Sequence, residues 1–403
     1  MRLWGPRMHA LGGEKDSKIG KIIVRVDTDE GIYGLGEADD FMGVREGITY
    51  IREYFRGRDP FEINAIVSEL LFGTVAPHPV GARSGELPGG IIGVPPSSPT
   101  STQSGPVVWA VSGVEMALCD LVGKVLNTPA YNILGGKFRD KIRVYLDRSA
   151  PDDFTNLDAW REMAEEAKES GFTQMKFDID FTAADVVTDV WNRSISLGQI
   201  NKSFERLAIV RDILGKDVEL CVDCHAQYNV PDAIRVANVL ASLNLLWLED
   251  PTPITNPDSC REVRAKSPIP ICVGEMFTAE QFRVFVDQRA CDILHPDVMF
   301  CGGMHEMRKI ADLAELNHLP IAMHGNGGVL ATIAAAHVAA SSRNFLGLEY
   351  HFIETPWIGE YVTREVPLFE NGYVHLTSAP GLGVELNEEV CRRHLAEGEV
   401  LLA

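Results

Sequence analysis

The chain has 403 residues, 45% of them hydrophobic, and a formal net charge of −20. Such a length exceeds one ordinary core and implies two domains, with enough apolar side chains to fill both. The charge argues against a nucleic acid or an anionic membrane as partner; it leaves an anionic small molecule open, because a bound metal can dominate the local field.

The first residues, MRLWGPRMHALGGEKDSK, lack the apolar core of a signal peptide, so the cytoplasm is the expected compartment. Lys21 to Glu37 (KIIVRVDTDEGIYGLGE) alternates, turns at Asp29-Glu30-Gly31 and alternates again, as a hairpin does. Helical patterns follow at 44–56 and 61–72. Residues 75–106 are rich in Gly, Pro and Ser and read as a lid-like loop or a disordered segment. VSGVEMALCDLVGKVLN then has apolar residues at helical spacing. Residues 1–135 thus form an α+β unit.

From Lys141 the pattern changes to alternating strands and helices. The candidate strands are KIRVYLD, TQMKFDI, VELCVDC, LLWLED, PICVGE, CDILHPD, PIAMHG and FLGLEYH. Helices such as DAIRVANVLASL and MHEMRKIADLAEL lie between most of them. Eight such units over 136–366 match an α/β fold of the (β/α)₈ barrel type; a doubly wound sheet usually has fewer strands. Residues 181–202 read as an inserted loop and short helix at the catalytic face. The tail, 367–403, exceeds what a barrel needs and is expected to return to the first domain. The most apolar late stretch, VLATIAAAHVAA, is too short to span a membrane and contains His337. Of the eight cysteines only Cys221 and Cys224 have CxxC spacing. Residues three apart on a strand point to opposite faces, so buried, inert thiols are expected.

Within the barrel pattern, Asp223, Glu249 and Glu275 each close a short apolar run, 26 residues apart in each case. Consecutive βα units bring the C-terminal ends of their strands to one face, so three carboxylates converge at one mouth. Unrelated surface acids would sit in polar loops instead. Hard oxygen ligands without thiolates favour Mg²⁺ over Zn²⁺.

GIYGLGEA, SGVEMALCDLVGKVLNTPAYNILGG, the spaced acids and HPDVMFCGG together resemble the enolase superfamily, in particular its mandelate racemase-like branch, over roughly residues 20–385. The resemblance implies a modified TIM barrel under an N-terminal α+β cap, completed by the C-terminal tail. It implies Mg²⁺ held by Asp223, Glu249 and Glu275, and a homo-oligomer of two to eight subunits. His324 ends the seventh strand and Asp297 the sixth; the branch uses that pair as general base, the Asp fixing the ring tautomer. Asp223-x-His225 resembles the acid-sugar dehydratases typified by galactonate and mannonate dehydratases, where the His protonates a departing β-hydroxyl. Metal ligation by His225 is the competing reading. Glu349, ending the eighth strand, matches an acid that hydrogen-bonds the substrate carboxylate; a rim salt bridge competes with that.

The chemistry follows from the residue types. Removing the α-proton of a carboxylic acid yields an enediolate with two negative oxygens, which a metal stabilises while a positioned base takes the proton. Racemases of this branch carry Lys-x-Lys on the second strand; here the segment is Lys176-Phe177-Asp178. Asp178 cannot serve as the second cationic base, which weakens a two-base racemase and suits elimination by one base. Lys176 is positioned to stabilise the substrate carboxylate or enediolate. Tyr145, Arg148 and Arg193 lie nearby without fixed roles. His295 reads as a packed residue one layer deeper, and His351 as facing the mouth. Asp39, Asp40, Arg45, His78 and Arg83 are weak candidates for distal hydroxyl recognition, with plain surface as the alternative. The reading is an Mg²⁺-dependent dehydratase of a sugar acid (gluconate, galactonate or mannonate) giving a 2-keto-3-deoxy acid. An epimerase, racemase or cycloisomerase using the same enediolate is the alternative, followed by a non-catalytic relative.

Overall fold

A computed structural model describes residues 1–6, 18–72, 104–151, 153–179, 189, 191–351 and 355–401. The Gly/Pro/Ser-rich stretch through residue 103, with His78 and Arg83, and residues 181–188 of the expected insert lie outside the described residues.

The N-terminal unit is an antiparallel sheet of Arg2–Pro6, Lys18–Asp27 and Tyr33–Asp39, carrying the helices Val44–Phe55, Ile63–Phe72 and Pro106–Val125. The last helix lies against the sheet so closely that only glycine fits beneath it. A Cβ at Gly34 would stand 2.0 Å from the Ala117 carbonyl, and one at Gly36 2.1 Å from that of Gly113. The GIYGLGE motif is therefore a docking track for this helix. By length and composition Pro106–Val125 is apolar enough to cross a membrane, but 83% of its apolar window is buried within the fold.

Eight parallel strands follow: Lys141–Asp147, Gln174–Asp178, Glu219–Asp223, Trp247–Glu249, Ile271–Val273, Ile293–Leu294, Ile321–Met323 and Phe345–Tyr350. Each pairs with the next, and the eighth closes on the first, with Glu349 opposite Tyr145. A helix follows every strand, from Leu157–Glu169 to the short Pro356–Glu360. The second barrel helix starts at Leu197, where Ser196 and Gln199 form a capping box. Residues 197–202 thus belong to that helix, not to an insert. Tyr145, Cys221, Trp247, Cys272, Ile293 and Ala322 fill one interior layer of the barrel. Cys224 packs outside it in the main core, so the CxxC cysteines do face apart.

The tail runs along both units. Tyr373–His375 pairs antiparallel with the start of the first barrel strand, and the Ala396 amide bonds the Arg2 carbonyl at 3.0 Å.

Buried carboxylates of the N-terminal unit cap backbone groups of the barrel. Glu37 accepts from the Gly328 and Ala331 amides at the start of helix Val329–Ser341, and from the Tyr361 hydroxyl. Glu115 accepts from the Met304 and His305 amides at the start of helix Met304–Leu316. Helix N-termini expose such donors, and a carboxylate satisfies both them and the dipole. Asp120 takes the amides of Leu35 and of Leu382 in the tail. Deleting one such acid strands several buried donors, each costing about 1–3 kcal/mol. Glu37→Ala is expected to lower unfolding free energy by about 3 kcal/mol in urea titrations, with Glu37→Gln losing less. A loss under about 0.5 kcal/mol would mean water replaces the carboxylate.

Candidate active site

Asp223 and Glu249 are the last residues of the third and fourth barrel strands, and both are buried. Glu275 lies beyond the fifth strand, past Gly274 at φ +106°, where a Cβ would strike the Phe282 ring at 2.6 Å. The glycine lets the chain turn so that Glu275 comes back over the mouth. One carboxylate oxygen from each of the three lies within 4.8 Å of the others.

Beneath them sits Lys176, 1% exposed. Its Nζ lies 2.5 Å from Glu349, 3.1 Å from Glu249, 3.2 Å from Asp223 and 3.3 Å from Asp147. The ammonium expected to stabilise the substrate carboxylate or enediolate is thus enclosed by four carboxylates. His295 is equally buried. Its Nδ1 faces the Ala322 carbonyl at 3.0 Å and its Nε2 faces Glu249 at 3.2 Å. With an acceptor at both nitrogens the ring favours its protonated form: burial lowers its pKa, but Glu249 outweighs burial and raises it well above the ordinary histidine value.

These two cations leave the acids under-compensated. Burial first, then neighbouring carboxylates, push Asp223 up, and push Asp178 and Asp250 well above the ordinary range. Asp178 Oδ1 is buried with no hydrogen-bond partner. A cluster of hard oxygens with surplus negative charge fits a divalent cation, which Asp223, Glu249 and Glu275 would hold. Asp178, Asp223 and His225 form a second grouping with ligand atoms equally close, sharing Asp223.

His324 follows the seventh strand, and its Nδ1 is 2.7 Å from Asp297 Oδ2. Asp297 also accepts from the Met299 and Asn326 amides, so its carboxylate cannot rotate. With Nδ1 bonded to Asp297, Nε2 turns toward Glu275 at 3.3 Å and Glu349 at 3.7 Å. The Lys21 ammonium donates to the Asn326 carbonyl at 2.7 Å, so the N-terminal sheet grips the loop behind His324.

His225 lies beside the acids, but not by strand alternation. The strand stops at Asp223, and His225 and Ala226 both take positive φ, 40° and 59°. This tight turn brings His225 Nε2 to 3.5 Å from Asp223, with its side chain 42% exposed. Arg193 donates to the Ala226 carbonyl at 2.6 Å and thereby holds the turn. Among the other candidates, Tyr145 belongs to the layer below, its hydroxyl 3.5 Å from His295. Arg148 pairs with Glu166 on the following helix. His351 stands between Asp147 and Glu349 at 3.6 and 3.5 Å. Glu349 is held well below the usual range, Lys176, His324 and His351 outweighing its burial. Asp39 is not surface: it is buried against Lys21 and Asn326. Asp40 pairs with Arg2, and Arg45 with Glu399.

Sequence reasoning overlooked Asp147. It ends the first strand, opposite Lys176, and that strand-final position was the available signal. It also overlooked the wall of Phe41, Trp109 and Phe300, whose last ring centres 6.2 Å from His324.

A closed parallel barrel with convergent acids and a His–Asp pair at its C-terminal mouth, under an α+β cap, is the architecture of an enolase-type enzyme. Residues 159–390 match the model of the enolase C-terminal domain-like family, and 6–135 that of the mandelate racemase / muconate lactonizing enzyme N-terminal domain. The chain belongs to the mandelate racemase / muconate lactonizing enzyme family of the enolase superfamily. It is 34% identical to a D-xylonate dehydratase of Haloferax volcanii, over 94% of this chain and 86% of the relative. It is 30% identical to a D-mannonate dehydratase of Caulobacter vibrioides, over 93% and 91%. The crystal structure of a mandelate racemase/muconate lactonizing enzyme-like protein from Rubrobacter xylanophilus superposes with a TM-score of 0.83 at 34% identity, covering 94% of this chain and 95% of that one.

Burial lowers the His324 pKa, but Glu349, Glu275 and Asp297 outweigh it and raise it from 6.5 to about 9. A histidine raised on folding adds stability that is complete below its unfolded value and is lost as pH rises through the folded one. In EDTA-treated protein, His324→Asn should therefore cost most stability below pH 6.5, the gap from the parent shrinking up to about pH 9. Urea titrations across that range check this; a gap independent of pH would mean that the ring is neutral throughout.

Proposed function

We propose that this protein is an Mg²⁺-dependent dehydratase of an aldonic acid, converting it to the 2-keto-3-deoxy acid. The observation that carries the reading is a pair of histidines, His324 and His225, each beside an acid of the same carboxylate cluster. His324, oriented by Asp297, faces the acids from the sixth- and seventh-strand side, and His225 approaches them beside Asp223. Relatives named for D-xylonate, D-galactonate and D-mannonate support a pentonate or hexonate as substrate.

Asp223, Glu249 and Glu275 would hold a divalent cation, which would supply Lewis-acid stabilisation of the substrate carboxylate. His324 Nε2 takes the α-proton, and Asp297 stabilises the imidazolium that forms. The electron pair left on the α-carbon forms the enol double bond as the β-carbon–oxygen bond breaks. His225 gives the departing hydroxyl its proton, so water leaves, and the enol tautomerises to the 2-keto acid. Lys176 and His295 act as positioning residues that keep Glu249 and Glu349 ionised. Asp178 occupies the position where a second, cationic base would serve, which favours elimination over racemisation.

Purified protein with Mg²⁺, screened against aldonic acids for 2-keto acids with semicarbazide, is expected to give product that EDTA abolishes. His324→Asn should lower kcat by about 10³-fold. His225→Asn should stop water loss yet still exchange the α-proton in D₂O. Deuterium exchange in the parent without any 2-keto acid would replace this reading with an epimerase.

A further inference from the structure

A second set of metal-ligating side chains lies away from the barrel mouth and shares no residue with it. Glu115 and Cys119, one turn apart on helix Pro106–Val125, face His305 at the start of helix Met304–Leu316. Cys119 Sγ is 3.2 Å from Glu115 Oε1 and 3.4 Å from His305 Nδ1, and those two atoms are 2.7 Å apart. All three ligand atoms fall within 4.8 Å of one another. Around tetrahedral Zn²⁺, with bonds of about 2.0–2.3 Å, ligand atoms stand roughly 3.3–3.6 Å apart. The observed triangle needs its shortest edge to open by roughly half an ångström and its Cys119–Glu115 edge by a few tenths. We propose that Glu115, Cys119 and His305 form a binding site for a thiophilic divalent cation of the Zn²⁺ class.

The donor set distinguishes this site from the mouth. One thiolate, one imidazole and one carboxylate suit Zn²⁺, whereas the all-oxygen trio at the mouth suits Mg²⁺. Glu115 is pre-oriented, because its Oε2 accepts the Met304 amide at 2.6 Å while Oε1 faces the cluster. His305, with 21% of its side chain exposed, gives the ion a path and leaves room for a water as fourth ligand; Glu115 is fully buried. The bound ion would join the N-terminal helix to the sixth barrel helix.

The test is a Co²⁺ titration of the full-length protein in excess Mg²⁺, which occupies the mouth. A near-ultraviolet thiolate-to-cobalt charge-transfer band is expected at one equivalent, displaced by one equivalent of Zn²⁺. Cys119→Ser should abolish the band, and His305→Gln should weaken Co²⁺ binding at least tenfold. Cys272→Ala should leave the band intact; Cys272 lies beside Glu249 and His295 and is the thiol nearest a cation at the mouth. No band in the parent, or a band that survives Cys119→Ser, overturns the proposal. Thermal melts check that the variants fold, and if Cys119→Ser does not, the partly exposed His305→Gln carries the test alone.

Discussion

One ammonium among four carboxylates makes the mouth of this barrel possible. Asp147, Asp223, Glu249 and Glu349 come from the first, third, fourth and eighth strands, and Lys176 touches them all from the second. Taking these charges out of water costs several kcal/mol per ion, recovered only if each finds an opposite charge and good hydrogen bonds. Lys176 meets that condition from below, and the His295 imidazolium adds a second positive charge. Trp247, in the apolar layer beneath, donates its indole N–H to Glu249 at 3.0 Å. The acids are thus fixed from underneath and short of positive charge above, and that is where a cation and an anionic substrate belong. Removing Lys176 would do more than delete a contact, since at least one acid would have to protonate and the donor set would change.

The proposed base, His324, is fixed by a different part of the chain. Asp297 orients His324, Asn326 bonds Asp297, and Lys21 and Asp39 of the N-terminal sheet hold Asn326. Glu37 caps the helix that starts just after this loop. The His324 ring therefore inherits its position from two units at once. Proton transfer is sensitive to such placement, because reacting atoms must lie within hydrogen-bond reach in the productive pose.

Much of this was legible in the sequence. All eight barrel strands stand where apolar runs placed them, because a strand buried on both faces must be apolar throughout. The observed ladders are shorter than those runs, and Glu275, Asp297 and His324 lie beyond them, Asp297 and His324 joined to each other by a single parallel bridge. The convergence of Asp223, Glu249 and Glu275 followed from their equal spacing and their place at the ends of apolar runs. What escaped were features with no periodic signature. The positive φ at His225 has none in its own side chain. Asp147 looked like any strand-final acid until its contact with Lys176 gave it a place in the cluster. The roles of Glu37, Glu115 and Asp120 depend on which amides arrive beside them, a tertiary fact. Lys176 was read by the direction of its side chain, without regard to how many acids would enclose it.

The carboxylate caps reaching from the N-terminal unit into the barrel limit how these parts can be recombined. Glu37, Glu115 and Asp120 each complete backbone groups that belong to other segments. A chimaera carrying a relative's first domain on this barrel would inherit its specificity loops only if it also supplied acids at these three places and a cation at Lys21. Otherwise the foreign unit would leave two helix termini bare and the loop behind His324 unanchored. Transplanting substrate preference in this architecture is thus a matter of matching a few buried hydrogen bonds before any residue that meets substrate is considered.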